Sequence, residues 1–319
     1  MKAMRFSFRQ WAVFLVMAAI LLVYPHAVPS YYFTALLTQV LIFSIFTMSL
    51  NLLAGYTGLP SLGHSALFGG GAYTAALLAK YVSHNIWLGF TAGILVSGIL
   101  AALFALIALR TIQVYFLFIT IALGQLVWAI VFGWRSFTGG DDGLPGIGNP
   151  TIWSSLTLSG GMTYYYVAVG LFAIVSFILY RITTSPFGHV LVGIRENESR
   201  IRHLGYNVWL YKFIAFVLSG LLTGVGGVTW AYYNGFVNPR DTSFELSAEA
   251  LLIVILGGKG TLFGPLVGTI IVVLIKNIIA AFTQRWLFVL GVAYILTVLY
   301  ARSGIVGTLG VRLKRWAAG

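Results

Sequence analysis

Of 319 residues, 59% are hydrophobic and only 8% are charged, far from the roughly one quarter of charged residues in soluble domains. That excludes an ordinary water-soluble fold and marks a chain built for lipid. Lys and Arg outnumber Asp and Glu by 19 to 7, a formal net charge of +12, and the absence of cysteine excludes disulfides, thiolate metal sites and cysteine nucleophiles.

Apolar runs fall at 11–24, 32–53, 65–81, 86–109, 114–133, 164–180, 212–233, 247–256, 262–282 and 286–300. A spanning helix uses about 20 residues, so this is an all-α polytopic membrane bundle of about ten spans, a single transmembrane domain over 1–319. The first run follows Lys2, Arg5 and Arg9, the order of a secretory signal peptide. It is read as the first span because no small-x-small cleavage site follows it. Segment 247–256 is short and 65–81 is interrupted by Gly69, Gly70 and Gly71, so both read as broken or half-length helices. The total of 37 glycines fits helices that approach through small residues.

With the N-terminus in the cytoplasm and sides alternating, 14 cations fall inside and four outside, namely Lys80, Arg135, Arg240 and Arg285. This bias puts both termini in the cytoplasm. The basic charge then anchors the protein against anionic lipid and requires no nucleic acid. No span shows a central carboxylate, Glu249 lies just inside a membrane edge, and Lys276 is expected to snorkel towards the surface. The run Gly257-Gly258-Lys259-Gly260-Thr261 fails as a phosphate loop because Gly follows the Lys. His26, His64, His84, His189 and His203 lack metal-ligand spacing. No catalytic residue, metal site or cofactor is assigned to this chain, and energy for transport is expected from a partner.

Residues 182–211 form a polar loop long enough for a capped helix. Ser185-Pro186 reads as an N-cap with proline in the first turn, and Leu204-Gly205 as a stop. Leu191, Ile194, Ile201 and Leu204 recur at helical spacing among charged residues. Such an amphipathic helix either lies on lipid headgroups or docks into a groove on a cytoplasmic motor.

The sequence Ser185-Pro186-Phe187-Gly188-His189, followed by Gly193-Ile194-Arg195-Glu196-Asn197-Glu198 and Leu204-Gly205, closely resembles the cytoplasmic loop of permease subunits of branched-chain amino acid ABC importers, the LivM-like group. Four stretches match in the same order: Leu50 to Gly58 with Ser61 to His64; Gly71-Ala72-Tyr73; Thr138 to Leu144; and Ile255 to Thr261. The resemblance covers roughly residues 45–308. It departs from the family pattern after Glu198, where Ser199, Arg200 and Ile201 stand in place of small residues.

The resemblance implies a coupling helix on an ATP-binding subunit, comprising Arg195, Glu196, Asn197, Glu198, Arg202, His203, Leu204 and Gly205. It implies a subunit of the bacterial or archaeal cytoplasmic membrane. The implied partners are two cytoplasmic ATP-binding subunits that carry ATP and Mg, a second homologous permease or a second copy of this chain, and an extracytoplasmic solute-binding protein. The cargo would be a leucine-type amino acid or a small polar relative such as urea or a short amide.

Gly55, Gly58, Ser61 and His64, with Gly257 and Gly258, form Gly-rich breaks that either flank the translocation pathway or only permit tight loops and close packing. Thr120 and Gln125 are polar positions within spans that either line the path or bond neighbouring helices, and Tyr73 is either a contact on that path or an interfacial aromatic anchor. Loop 134–163 is the longest outside connection. Its Asp141 and Asp142, with Asp241 and Glu245, form an acidic rim for docking a binding protein or, in the simpler reading, solvated turns. A stand-alone channel for a small neutral solute fits the same composition and differs by needing no ATPase.

Overall fold

The computed structural model describes residues 30–282 apart from 112, 154, 155 and 159, together with 21, 24, 25, 288, 291, 292, 294, 295, 299 and 304–308. The expected spans at 11–24 and 286–300 fall where only isolated positions are described, and the basic termini lie outside the described residues.

Helix α1 (Tyr31–Asn51) runs into a π-helical turn, Leu52–Thr57, followed by α2 (His64–Tyr81), α3 (Ile86–Ala108) and α4 (Gln113–Gly133). Then come α5 (Gly161–Thr183), α6 (Pro186–His203), α7 (Val208–Asn234), α8 (Phe244–Gly257) and α9 (Gly264–Phe282). A one-turn helix at Arg135–Thr138, 3-10 turns at Gly140–Asp142 and Pro239–Thr242 and two antiparallel ladders of two or three residues lie in the connections. One joins Leu144–Pro145 to Phe236–Val237, the other Thr151–Trp153 to Leu156–Thr157.

Among the described residues five helices are long and apolar enough to cross a bilayer: Tyr31–Thr57, Ile86–Ala108, Val114–Gly133, Gly161–Thr183 and Val208–Asn234. They coincide with expected spans at 32–53, 86–109, 114–133, 164–180 and 212–233. Helix α8 has 14 residues, about 21 Å, and falls short of a hydrocarbon core of about 30 Å. Helix α2 departs from expectation, because it continues through Gly69, Gly70 and Gly71 without interruption. Each of the three is filled from outside: a methyl on Gly69 would meet Thr242, one on Gly70 would meet Leu100, and one on Gly71 would meet Ser97 and the backbone of Gly224. The glycines here shape contact surfaces and do not break the helix.

The same logic holds the centre together. Helix α7 packs on α2 and α3 through Gly220, Gly224 and Gly227. Ala101 lies against Gly220, Ser97 against Gly224, and the Phe68 carbonyl against Gly227. In lipid there is little hydrophobic drive between helices, so close packing of small residues and interhelical hydrogen bonds supply the cohesion. Ser97 Oγ adds one by donating to the Leu67 carbonyl at 2.8 Å. An aromatic cluster fills the space towards α1, with Phe43 edge-on to Trp230 and Phe46 against Phe68, both at 4.9 Å between ring centroids.

Substitution Gly227→Ala places a methyl on the Phe68 carbonyl and is expected to destabilise the bundle by about 1–3 kcal/mol. Gly170→Ala, which points into open space, is expected to leave it unchanged. Thermal unfolding of the two variants in detergent checks this; equal melting temperatures would contradict the packing account.

Candidate translocation and coupling site

Helix α6 begins as its sequence signals. Ser185 Oγ accepts from the Gly188 amide at 3.3 Å, Pro186 opens the first turn, and Gly205 ends the element with φ of 88°. Leu191 and Ile194 are buried against the bundle, while Leu204 is 66% exposed. The helix is not continuous. Asn197 takes an extended conformation, φ −159° and ψ 96°, and its Oδ1 accepts from the Arg200 amide at 3.0 Å. It thus ends one helical segment and caps the next.

The break sorts the candidate coupling residues. Arg195, on the first segment and exposed along part of its length, reaches the bundle and donates from Nη1 to the Gly55 carbonyl in the π turn. Glu198, opening the second segment, accepts from Arg202 at 2.8 Å and from Lys212 of α7 at 2.6 Å, with the Lys212 side chain only 15% exposed. Glu196, Arg202, His203, Leu204 and Gly205 remain on the open surface beside exposed Tyr206, Trp209 and Leu210. His203 Nδ1 lies 2.6 Å from the Ser199 carbonyl.

Arg195 meets both Gly-rich breaks. Gly58, at φ of 77°, has no room for a side chain beside the Arg195 Cγ, and Gly260, at φ of 76°, lies against its Nη1. The two breaks are also tied directly by Asn51. Its Oδ1 accepts from the Gly260 amide at 2.9 Å and its Nδ2 donates to the Thr261 carbonyl at 2.8 Å. One side-chain amide thus imitates a strand partner for a turn that would otherwise leave peptide groups unpaired. Asn51 stands in the sequence within the matched stretch Leu50 to Gly58, at the end of an apolar run, and its role was missed. Gly257 packs on the Gly264 carbonyl and Gly258 has φ of 123°, which closes the α8–α9 turn.

The remaining pathway candidates lie elsewhere. Ser61, His64 and Thr120 are fully buried. Thr120 Oγ1 accepts from the Leu62 amide at 3.2 Å. His64 Nε2 lies 2.7 Å from Ser219 Oγ, which in turn donates to the Ser49 carbonyl. The second chain of contacts joins α2, α7 and α1, and Thr120 ties α4 to the segment before α2. Tyr73 is buried in the other half of α2, and Gln125 is half-buried on α4.

At the opposite end, Asp141 and Asp142 are exposed in a short 3-10 turn, Gly140–Asp142. The ladder between Leu144 and Val237 brings this loop beside the segment leading to α8, where Glu245 is also exposed. Asp241 corrects the expected rim. It is buried, accepting from the Trp230 indole at 3.0 Å and from the Asn238 amide at 3.0 Å in a capping box. Burial pushes its carboxyl up to about 6, against the pull of those two donors. Its charge is spent inside the fold.

Within the helices, Lys276 Nζ lies 3.6 Å from Glu249 Oε1, linking α9 to α8.

A family model described as branched-chain amino acid transport system, permease component, matches residues 32–301. The high-affinity branched-chain amino acid transport system permease protein LivM of Salmonella typhimurium is 28% identical over 299 residues, covering 87% of this chain and 70% of the relative. The protein of the same description from Escherichia coli is 28% identical over 303 residues with the same coverage. The ribose import permease protein RbsC of Haemophilus influenzae is 29% identical over 103 residues, covering 31% of this chain and 32% of its own. No solved structure matches.

Because the folded pKa of Asp241 is raised above that of the free carboxyl, its contribution to stability is complete below about pH 4 and is lost as pH rises through about 6. Asp241→Asn is therefore expected to gain in melting temperature relative to the native protein as pH rises from about 4 to 8. A difference that stays constant across that range would contradict the assignment.

Proposed function

This chain belongs to the branched-chain amino acid transport permease family, and on that premise we propose that it is the membrane subunit of an ATP-driven importer for branched-chain amino acids. The observation that carries the reading is the clamp formed by Arg195, Gly55, Asn51 and Gly260, since it joins an amphipathic surface helix to both Gly-rich breaks of the bundle.

In this reading the end bearing α6 is cytoplasmic, in accord with the surplus of Lys and Arg assigned to that side. Two ATP-binding subunits, which hold ATP and Mg, grip the exposed residues Glu196, Arg202, His203, Leu204 and Gly205. Their closure displaces α6, and Arg195 carries the displacement to the π turn and the α8–α9 turn. Work is transmitted because nucleotide binding favours one arrangement of these elements over the other, a coupling free energy and not a chemical step in this chain. A second permease, homologous or identical, completes the path, and a binding protein delivers cargo to the face that carries Asp141, Asp142 and Glu245. The relatives named as branched-chain amino acid permeases align over most of the chain, whereas the ribose permease aligns over less than a third of it, which favours amino acid cargo.

Arg195→Met removes the guanidinium bond to Gly55 but leaves Glu196, Arg202, His203, Leu204 and Gly205 in place. Reconstituted with its partners, this variant is expected to keep ATP hydrolysis and lose leucine uptake by about tenfold or more, a loss of about 1.4 kcal/mol of coupling. Glu196→Lys, on the exposed side, is expected instead to release the ATP-binding subunits in a pull-down. Normal uptake by Arg195→Met, or normal co-purification of Glu196→Lys, would refute the respective assignment.

A further inference from the structure

The five spanning helices are unevenly covered. In the most apolar stretch of α4 22% of the residues are buried, against 33% in α3, 44% in α5 and α7, and 78% in α1 with its π turn. The inner side of α4 is accounted for: Phe116, Thr120, Gly124 and Val131 are buried, and Gly63 rests on Thr120 and Gly124. The outer side carries Phe118, Ala122, Leu126, Ala129 and Ile130, all exposed. Gln125 stands at the edge of that face, three residues from Ala122 and four from Ala129, so the three are surface neighbours. It lies about 18 Å from Gln113 along a helix of 21 residues, about 31 Å. That is well inside a hydrocarbon core of about 30 Å.

Gln125 is half-buried and forms no hydrogen bond among the described residues. A primary amide carries two donors and an acceptor, and leaving them unpaired in hydrocarbon is costly. Gln39 is the other amide well inside a long helix without a partner, but it belongs to α1, against which α5, α7, α8 and α9 all pack. Gln125 instead borders an outward face. The outward face of α3 is of a different kind. Its exposed Leu95, Ile99, Leu103 and Ile107 suit lipid, and the hydroxyls of Thr91 and Ser97 donate to the Trp87 and Leu67 carbonyls. Lipid against α4 would leave the Gln125 amide unpaired, and water would wet Phe118, Leu126 and Ile130. A second apolar helix that brings one polar group satisfies both requirements.

We propose that the face of α4 around Gln125 is where the second permease docks. A membrane helix of that subunit packs on Ala122 and Ala129, where short side chains allow close approach, and offers an amide or hydroxyl that pairs with Gln125. This deepens the functional reading above and rests on it for the existence of a second permease.

The test uses the complex assembled with its partners. A photo-crosslinking benzoylphenylalanine is incorporated in place of Ala122 and, as a control, in place of Ile99 on α3. On illumination, position 122 is expected to join this chain to a second permease polypeptide, identified by mass spectrometry as another copy or a member of the same family, about tenfold more than position 99. Gln125→Leu, similar in size but unable to hydrogen-bond, is expected to lower recovery of the second permease in mild detergent about threefold or more. Attachment of position 122 to lipid alone, to another kind of subunit or to another part of this chain overturns the proposal, as does no attachment. Undiminished recovery with Gln125→Leu overturns it as well. If no second permease accompanies the unsubstituted chain, the functional reading itself fails; a second permease that is present but never joins position 122 sinks the docking face alone.

Discussion

A peptide group in hydrocarbon has no water to pair with, and this bundle interrupts its helices twice at one end, in the π turn after α1 and between α8 and α9. Everything near that end follows from how the exposed backbone groups are satisfied. Asn51 spends both halves of its amide on Gly260 and Thr261, and Arg195 spends part of its guanidinium on Gly55. Glycine at 55, 58 and 260 lets these donors and acceptors come close enough. The two breaks are consequently a single unit, and α6 is fastened to it by a side chain from its own first segment.

How much of this was legible in the sequence depends on the distance over which a residue acts. The five long apolar helices were readable because their signal is local and repeated. So was the start of α6, where Ser185 and Pro186 mark their own position. The break at Asn197 was present in the letters but hidden, because a capping asparagine inside a charged amphipathic run resembles one more surface residue. Contacts that cross the fold were not readable. Nothing near Asp241 announces that Trp230 will turn its carboxylate inward, and nothing near Lys276 announces Glu249, twenty-seven positions earlier. The three consecutive glycines of α2 misled for the same reason: what they accommodate belongs to α3, α7 and the segment before α8.

Charge is distributed in three layers with separate tasks. At the end bearing α6, Glu198 with Arg202 and Lys212 fixes the second half of that helix onto α7. At the other end exposed carboxylates stand free while Asp241 braces the turn behind them. Glu249 and Lys276 link α8 to α9, the helices joined by the very turn that Asn51 and Arg195 hold.

The glycine contacts among α2, α3 and α7 have a mechanical consequence. Where a backbone carbonyl lies against an α-carbon, as Phe68 does at Gly227, there is no flexible side chain to absorb a displacement. Helices seated in this way transmit force without storing it, so these three behave as a stiff beam. Elastic give must then come from the seams around this beam and not from bending within it.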